Sequence, residues 1–350
     1  MRKLLNLYPL HFSQKMSRFE NRLLKAGIYS GSINAEPSRI KGGFRNRAKF
    51  KIFSPRNELT VLGTDPLSGE TDYKKILWML PPWLRRIAHS VAGCLLKSHP
   101  FAPVDGWEMN SAHGREEAVL ILSVKKNRSG RYSGLAADLM QIPGVQGIMI
   151  PSRREGLGKI RLQHRILGRD FISPAGSFFQ THLSLTPALI AEARRHICKH
   201  PFKRLIDLYC GSGLLSLFSA SPSEEIIGID SDEDSVKCAR ENAAGFGWEK
   251  AKFKTGRVEN FDKYTEPGKD DLVLLDPPRQ GVPAKVIAAL SEKGTGRVCQ
   301  VSCSPEAAEV NLKQWTEKGY EILSVKALDM FPFTSFLESI AFLRKKSNYP

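Results

Sequence analysis

Three apolar runs each stop at a residue that could do chemistry. VCQVSC ends at Cys303, followed by Ser304 and Pro305; LVLLD ends at Asp276, followed by Pro277 and Pro278; IIGID ends at Asp230. If the runs are parallel strands, their carboxyl ends share one edge, where open α/β sheets bind ligands. A thiol at that edge can act as a nucleophile once ionised. An acid ahead of two prolines sits on a stiff loop facing the crevice. Plainer roles fit the same residues: a buried structural cysteine and a proline turn leaving a strand. Cys299, earlier in its run, reads as core.

The segment LIDLYCGSGLLSL places Asp207, Gly211 and Gly213 at the end of a strand and the start of a helix. Glycine lets the backbone turn tightly and approach a ligand closely, although a purely structural turn needs the same residues. Ser216 stands where a dinucleotide fingerprint has its third glycine. Asp230, about twenty residues on, is placed to accept hydrogen bonds from a ribose. The combination points to S-adenosylmethionine rather than a nicotinamide cofactor.

These residues need a frame, and the chain supplies it after about residue 178. Apolar strands are predicted at 204–209, 226–230, 251–255, 271–276, 298–302 and 322–328, alternating with helical stretches; a last run at 335–343 completes the sheet. That alternation is the pattern of βαβ units and a parallel, doubly wound sheet. The first half has a different texture. Met16, Phe19, Leu23, Leu24 and Ile28 recur at helical spacing, and Gly31, Ser32 and Pro37 read as a linker. Short β-like runs follow at 50–53, 118–124, 147–150 and 160–162, with a helix over 73–96 interrupted at Pro81 and Pro82. The expected division is a helical segment (1–35), a basic α+β domain with a mostly antiparallel sheet (36–175), and a Rossmann-like α/β domain (176–350).

The chain of 350 residues is 41% hydrophobic and 25% charged, an ordinary globular composition. No apolar run reaches the roughly 18–20 residues that span a bilayer, and the amino terminus lacks the pattern of a signal peptide. A cytoplasmic protein is expected. Six cysteines with no CxxC pair read as free thiols in a reducing compartment. The net charge of +16 is uneven: residues 1–175 hold 29 Lys and Arg against 13 Asp and Glu, and residues 176–350 hold 23 of each. A basic half beside a neutral one predicts a polyanionic partner. Arg45, Arg47, Lys49 and Lys51 surround Phe44, Phe50 and Phe53, so strand alternation would bury the aromatics and present the charges to phosphates. A solvated basic strand has the same pattern.

Taken together, SFFQT, DLYCGSG, DPPRQG, VSCSP and DMFPFTSFLE, in this order and spacing, resemble the S-adenosylmethionine-dependent RNA uridine-5-methyltransferases of the TrmA type. The resemblance covers the second half almost completely, and GGFRNRAKF resembles the family's RNA-contacting segment. It implies a methyltransferase domain preceded by an RNA-recognition domain, in a monomer acting on structured RNA, ribosomal in preference to transfer RNA. It implies Cys303 as nucleophile and Glu338 as base, with Gln180, Tyr209, Gly211, Gly213, Asp230 and Asp276 at the cofactor. Asp276 is also placed near the target base, and Phe44, Arg45 and Arg47 near the RNA. Uracil C5 is too weak a nucleophile for a methyl sulfonium; a thiolate added at C6 makes the ring an enolate that is strong enough.

Several relatives hold a four-iron cluster, which needs four nearby thiolates. Cys94 is the only cysteine before Cys198, so no cluster is expected. The resemblance begins near Gly42, and no additional β-barrel domain is expected ahead of it. Two positions depart from the family: Ser304 replaces the usual Asn after the nucleophile, and Phe336 replaces a common His. They leave Cys303 and Glu338 in place, so an active enzyme is expected, and they are the only support for an alternative, an RNA-binding protein that keeps the cofactor pocket without catalysis. A methyltransferase acting on cytosine C5 is a further alternative, sharing the thiolate chemistry.

Overall fold

On α1 (Arg2–Lys25), Met16, Phe19 and Leu23 fall on one side at helical spacing and are buried. They join one apolar cluster with Val273, Leu275 and Val298, far along the chain. The computed structural model describes residues 2–40, 42–53, 60–65, 69–98, 104–124, 132–199, 201–221 and 224–347. After α1 comes β1 (Asn34–Glu36), which pairs in parallel with Lys326–Leu328. The segment read as a linker is therefore an edge strand. The chain divides into two units, Met1–Lys41 with Ser184–Pro350, and Gly42–Leu183.

In the Gly42–Leu183 unit, β2 (Arg47–Phe53), β3 (Thr60–Asp65) and β4 (Gly69–Thr71) precede α2 (Tyr73–Met79) and α3 (Pro82–Ser98). Then follow β5 (Gly106–Ser111), β6 (Ala118–Ser123), α4 (Tyr132–Met140), β7 (Val145–Ile150), β8 (Glu155–Gly158), β9 (Arg161–Ile166) and β10 (Arg169–Pro174). The sheet order is β4-β3-β2-β5-β6-β7-β8, with β9 and β10 as a separate hairpin. Among the described residues of this unit, only the β6–β7 pairing is parallel, in keeping with the mostly antiparallel reading. The helix does break at the two prolines. Phe50 and Trp107, neighbours across β2 and β5, stack at 4.7 Å in the core.

The other unit continues with α5 (Thr186–Ile197), β11 (Arg204–Leu208), α6 (Leu214–Ser219), β12 (Glu225–Asp230), α7 (Glu233–Gly245) and β13 (Ala251–Thr255). It ends with β14 (Leu272–Leu275), α8 (Ala284–Glu292), β15 (Arg297–Ser302), α9 (Pro305–Glu317), β16 (Tyr320–Leu328) and β17 (Glu338–Lys345). The eight strands run β1-β16-β17-β15-β14-β11-β12-β13. All are parallel except β17, which is antiparallel to both β15 and β16. Strands covered on both faces need continuous apolar runs, and all four residues of β14 are buried.

Two boundaries differ from the sequence reading. Met1–Lys41 folds with the methyltransferase-like sheet because α1 and β1 bury their apolar residues there. Residues 176–183 belong to the Gly42–Leu183 unit: Leu183 N–H donates to Phe44 O at 2.8 Å, Asn46 N–H to Thr181 O at 3.1 Å, and Arg45 bridges His182. The charge asymmetry softens accordingly. Met1–Lys41 has eight Lys and Arg against two Asp and Glu, so its excess of six belongs to the unit read as neutral. Among the described residues, no helix is long and apolar enough to cross a membrane.

Candidate active site

Parallel pairing sets β11, β12, β14 and β15 with their carboxyl ends at one edge; β17, running the other way, begins there. Leu275 pairs with Gln300, so Asp276 and Cys303 leave neighbouring strands at that edge. Ser302 pairs with Ser339, and Leu328 with Glu338. The antiparallel insertion of β17 is what brings Glu338 beside Cys303. Cys299 is fully buried within β15.

The loop after Asp276 is held by one amide. Asn311 on α9 accepts from Val282 N–H at 2.7 Å and donates to Val282 O at 2.8 Å. Gly281, at φ 80°, lies against it; an added Cβ would stand 2.5 Å from Asn311 Oδ1. Ser304, one of the two departures, is the N-cap of α9 and accepts from Ala307 N–H. Serine and asparagine are comparably good caps, so this exchange keeps the local fold. Phe336, the other departure, lies under the Arg279 guanidinium at 4.7 Å, a cation–π contact in place of a polar group.

Burial and neighbouring carboxylates shape the titration of these groups. Burial pushes the Cys303 thiol up to about 12, the charges of Glu338 and Asp276 add to this, and Arg279 opposes it. Glu338 is held well above the ordinary carboxyl range by burial and then by Asp276. A carboxylate at half-buried Asp276 beside the buried Glu338 carboxyl favours the neutral form of Glu338. The site can therefore hold one carboxylate and one neutral acid beside a protonated thiol.

Next along the edge, Asp230 accepts from Gly211 N–H at 2.9 Å and from Asp232 N–H at 2.8 Å. Tyr209 and Gly211 both take left-handed backbone, φ 68° and 51°. Nothing lies within 4 Å of the position of a Cβ on Gly211. The Gly211 backbone thus borders open space, bounded by an acid on the next strand, as a nucleoside cradle requires. Asp207, the first residue of DLYCGSG, lies within β11. It is buried with Oδ2 lacking a hydrogen-bond partner, and burial, with the charges of Asp276 and Asp230, pushes its carboxyl to about 7 against hydrogen bonding from Ser216. Its one sequence signal is its place two residues before Tyr209 on the glycine-loop strand.

The remaining candidates lie in the Gly42–Leu183 unit. Gln180 is buried, and its carbonyl is 2.8 Å from His113 Nε2. Burial lowers His113 to about 4, so a neutral ring donates that bond. Phe44 is buried against His182, with ring centroids 5.2 Å apart, and is not offered for stacking on a base. Arg47 bonds Glu108 and the carbonyls of Ser177 and Gly176, which commits it within the unit. Arg45 is half-buried with its guanidinium against Met79 Sδ. On β2 the alternation does bury Ala48 and Phe50 and expose Lys49 and Lys51; Phe53 falls on the charged face and is exposed.

Comparison with known proteins places this geometry. Residues 199–330 match a family model described as a methyltransferase domain. An uncharacterized RNA methyltransferase of Caldanaerobacter subterraneus is 35% identical over 188 residues, 54% of this chain and 42% of that protein. One from Streptomyces avermitilis is 30% identical over 241 residues, 67% of this chain and 54% of that protein. The chain thus spans about half the length of the curated relatives it matches. Among solved structures, the tRNA (uracil-54, C5)-methyltransferase of Pyrococcus abyssi, in complex with S-adenosyl-L-homocysteine, superposes with a TM-score of 0.73. The match has 19% identity and covers 96% of this chain and 83% of that one. The chain contains a methyltransferase domain of the S-adenosylmethionine-dependent fold and is homologous to RNA methyltransferases over half to two thirds of its length.

Proposed function

We propose that this protein methylates C5 of uridine in structured RNA, with S-adenosylmethionine as donor and ribosomal RNA ahead of transfer RNA as substrate. The observation that carries the reading is the meeting of Cys303, Glu338 and Asp276 at the edge that also holds the Gly211–Asp230 cradle.

The donor supplies an electrophilic methyl group. Tyr209, Gly211, Gly213, Asp230 and Asp207 would hold it; Gln180 is assigned to it by the family resemblance alone. Cys303 gives up its proton to solvent and adds through sulfur to C6 of the ring, and the C5–C6 π electrons move toward C5 and O4. C5 would then take the methyl group as the donor's sulfur–methyl bond breaks, leaving the donor as the neutral thioether S-adenosylhomocysteine. Glu338, as carboxylate, removes the C5 proton; the electron pair re-forms the C5–C6 double bond and expels the Cys303 thiolate. Arg279 favours the thiolate at both ends of the sequence, and Asp276 holds the second carboxyl close to Glu338.

The direct test incubates the protein and labelled donor with unmodified ribosomal and transfer RNA, followed by nucleoside mass spectrometry. 5-Methyluridine is the expected product, with ribosomal RNA the better substrate. 5-Methylcytidine would replace the uridine reading with the cytosine one, and binding without methylation would leave an RNA-binding protein.

With Phe44 and Arg47 engaged inside their unit, we assign phosphate contact to exposed cations of the same unit, Lys49, Arg154 and Lys159. Replacing these three by Gln should flatten the dependence of log K on log salt by roughly 0.7–0.9 for each phosphate no longer neutralised. Arg47→Gln should leave that slope unchanged while costing about 1–3 kcal/mol of stability through its broken charge-assisted bonds. Filter binding across salt concentrations, with thermal melts of each variant, separates the two outcomes.

A further inference from the structure

Lys15, on α1, is only 5% exposed, and its ammonium has just three protons to donate. It has three acceptors: Asp329 Oδ1 at 2.6 Å, Phe331 O at 2.9 Å and Phe336 O at 2.9 Å. Asp329 is fully buried and accepts at its other oxygen from Tyr8 OH at 2.7 Å. The Tyr8 oxygen in turn accepts from Ser38 N–H at 2.7 Å. Two turns of α1 and the chain just after β1 thereby grip residues 329–336, the connection from β16 to β17.

That connection ends at the proposed base. Phe336 precedes Glu338 by two residues, and its ring lies under Arg279. Thr334 tightens the loop from within, donating to Phe331 O at 2.8 Å and accepting from Phe336 N–H at 3.2 Å. Phe333 takes left-handed backbone at φ 63°, with its ring 5.4 Å from that of Tyr8 and 5.9 Å from His11. Burying a lysine and an aspartate is costly, and apolar residues would join α1 to the sheet at lower cost. What the ion pair adds is direction: three donors with fixed targets specify where two carbonyls stand.

We propose that Lys15 is a positioning residue for proton abstraction: from the amino-terminal helix it fixes residues 331–336, and so sets the placement of Glu338 and Arg279 around Cys303. The proposal rests on the reading of Glu338 as base. It gives Met1–Lys41 a catalytic purpose beyond covering the sheet.

Lys15→Met alone would strand a buried carboxylate and could prevent folding. The test variant is therefore Lys15→Met with Asp329→Asn, which leaves no unpaired ion. Three readouts are taken on the full chain below its melting temperature: steady-state methylation, covalent protein–RNA adduct on denaturing gels, and amide hydrogen exchange by mass spectrometry. Misplacement of a base should lower kcat by roughly 10–100-fold, with KM for RNA within about twofold and more methylated adduct. Exchange should rise by about tenfold in 330–340 while β11, β12 and β14 keep their protection. Unchanged kcat in the folded variant overturns the proposal, as does faster exchange spread evenly over the sheet, which is the mark of a structural role only. Glu338→Gln is run in parallel. If it releases product normally, the base reading has failed and the proposal falls with it. If it traps adduct while the double variant does not, the base reading stands and the Lys15 proposal alone is lost.

Discussion

Cys303→Ala is expected to bring methylation of RNA to background and to remove any denaturation-resistant protein–RNA complex. Without sulfur at C6 no enolate forms, and C5 cannot attack a methyl group. RNA binding should persist, since the cations assigned to it lie in the Gly42–Leu183 unit, and the fold should hold because the thiol is only partly covered. A surviving adduct would move the nucleophile elsewhere, and fully buried Cys299 would be the first thiol to exclude. The wild-type thiol has a signature of its own. Because burial and two carboxyl neighbours hold it up at about 12, it is protonated at neutral pH, and its thiolate fraction grows as pH rises. Iodoacetamide labelling of Cys303, read by peptide mass spectrometry, should climb by about tenfold per pH unit from roughly 7 to 9.5 without a plateau. A plateau near neutrality would mean that Arg279 outweighs burial and that the thiolate is already formed in the free protein.

Glu338→Gln should separate the two halves of the reaction. The amide has the shape of the acid but cannot take the C5 proton, so addition and methyl transfer proceed and elimination stalls. Loss of a general base slows its step by about 10²–10⁴-fold. A methylated covalent complex should accumulate with time on denaturing gels, carrying label from the donor and from the RNA together. Label in RNA released at the normal rate would show that another group is the base, with Asp276, the neighbouring carboxyl, tested next by Asp276→Asn. Because Glu338 is held high by burial and then by Asp276, the wild-type elimination rate should also rise with pH as Glu338 loses its proton. Glu338→Gln should lose that dependence.

Much of the site is legible in the sequence because it is made of strand ends. β14 is apolar on both faces, so its end is marked by the first polar residue, Asp276; β15 carries buried Gln300 and Ser302, and the proline that starts α9 two residues beyond Cys303 marks its end. Glu338 is different. Nothing in FTSFLESIAF says that the strand runs opposite to its neighbours, and only that reversal puts its first residue at the same edge as their last. Asp207 is legible as the first residue of DLYCGSG, but its burial and unpartnered oxygen are properties of the folded edge.

From sequence alone come the parallel α/β frame, the glycine loop, and the identities of the thiol and acids, since hydrophobic periodicity and strand-end chemistry are local. The basic texture of the first half is equally plain. What that charge does is decided by tertiary structure, because pairing depends on residues distant in the chain: Arg47 reaches Glu108 and the carbonyl of Ser177, and Lys15 reaches Asp329. The same holds for the boundaries. Residues 34–36 are too few to announce a strand, and they become one because Lys326–Leu328 offers an unpaired edge. Residues 176–183 are irregular by pattern and join β2's unit through hydrogen bonds to residues 44–47. Local pattern determines which elements form. Edge pairing and buried ion pairs, which join residues tens to hundreds of positions apart, determine to which body each element belongs.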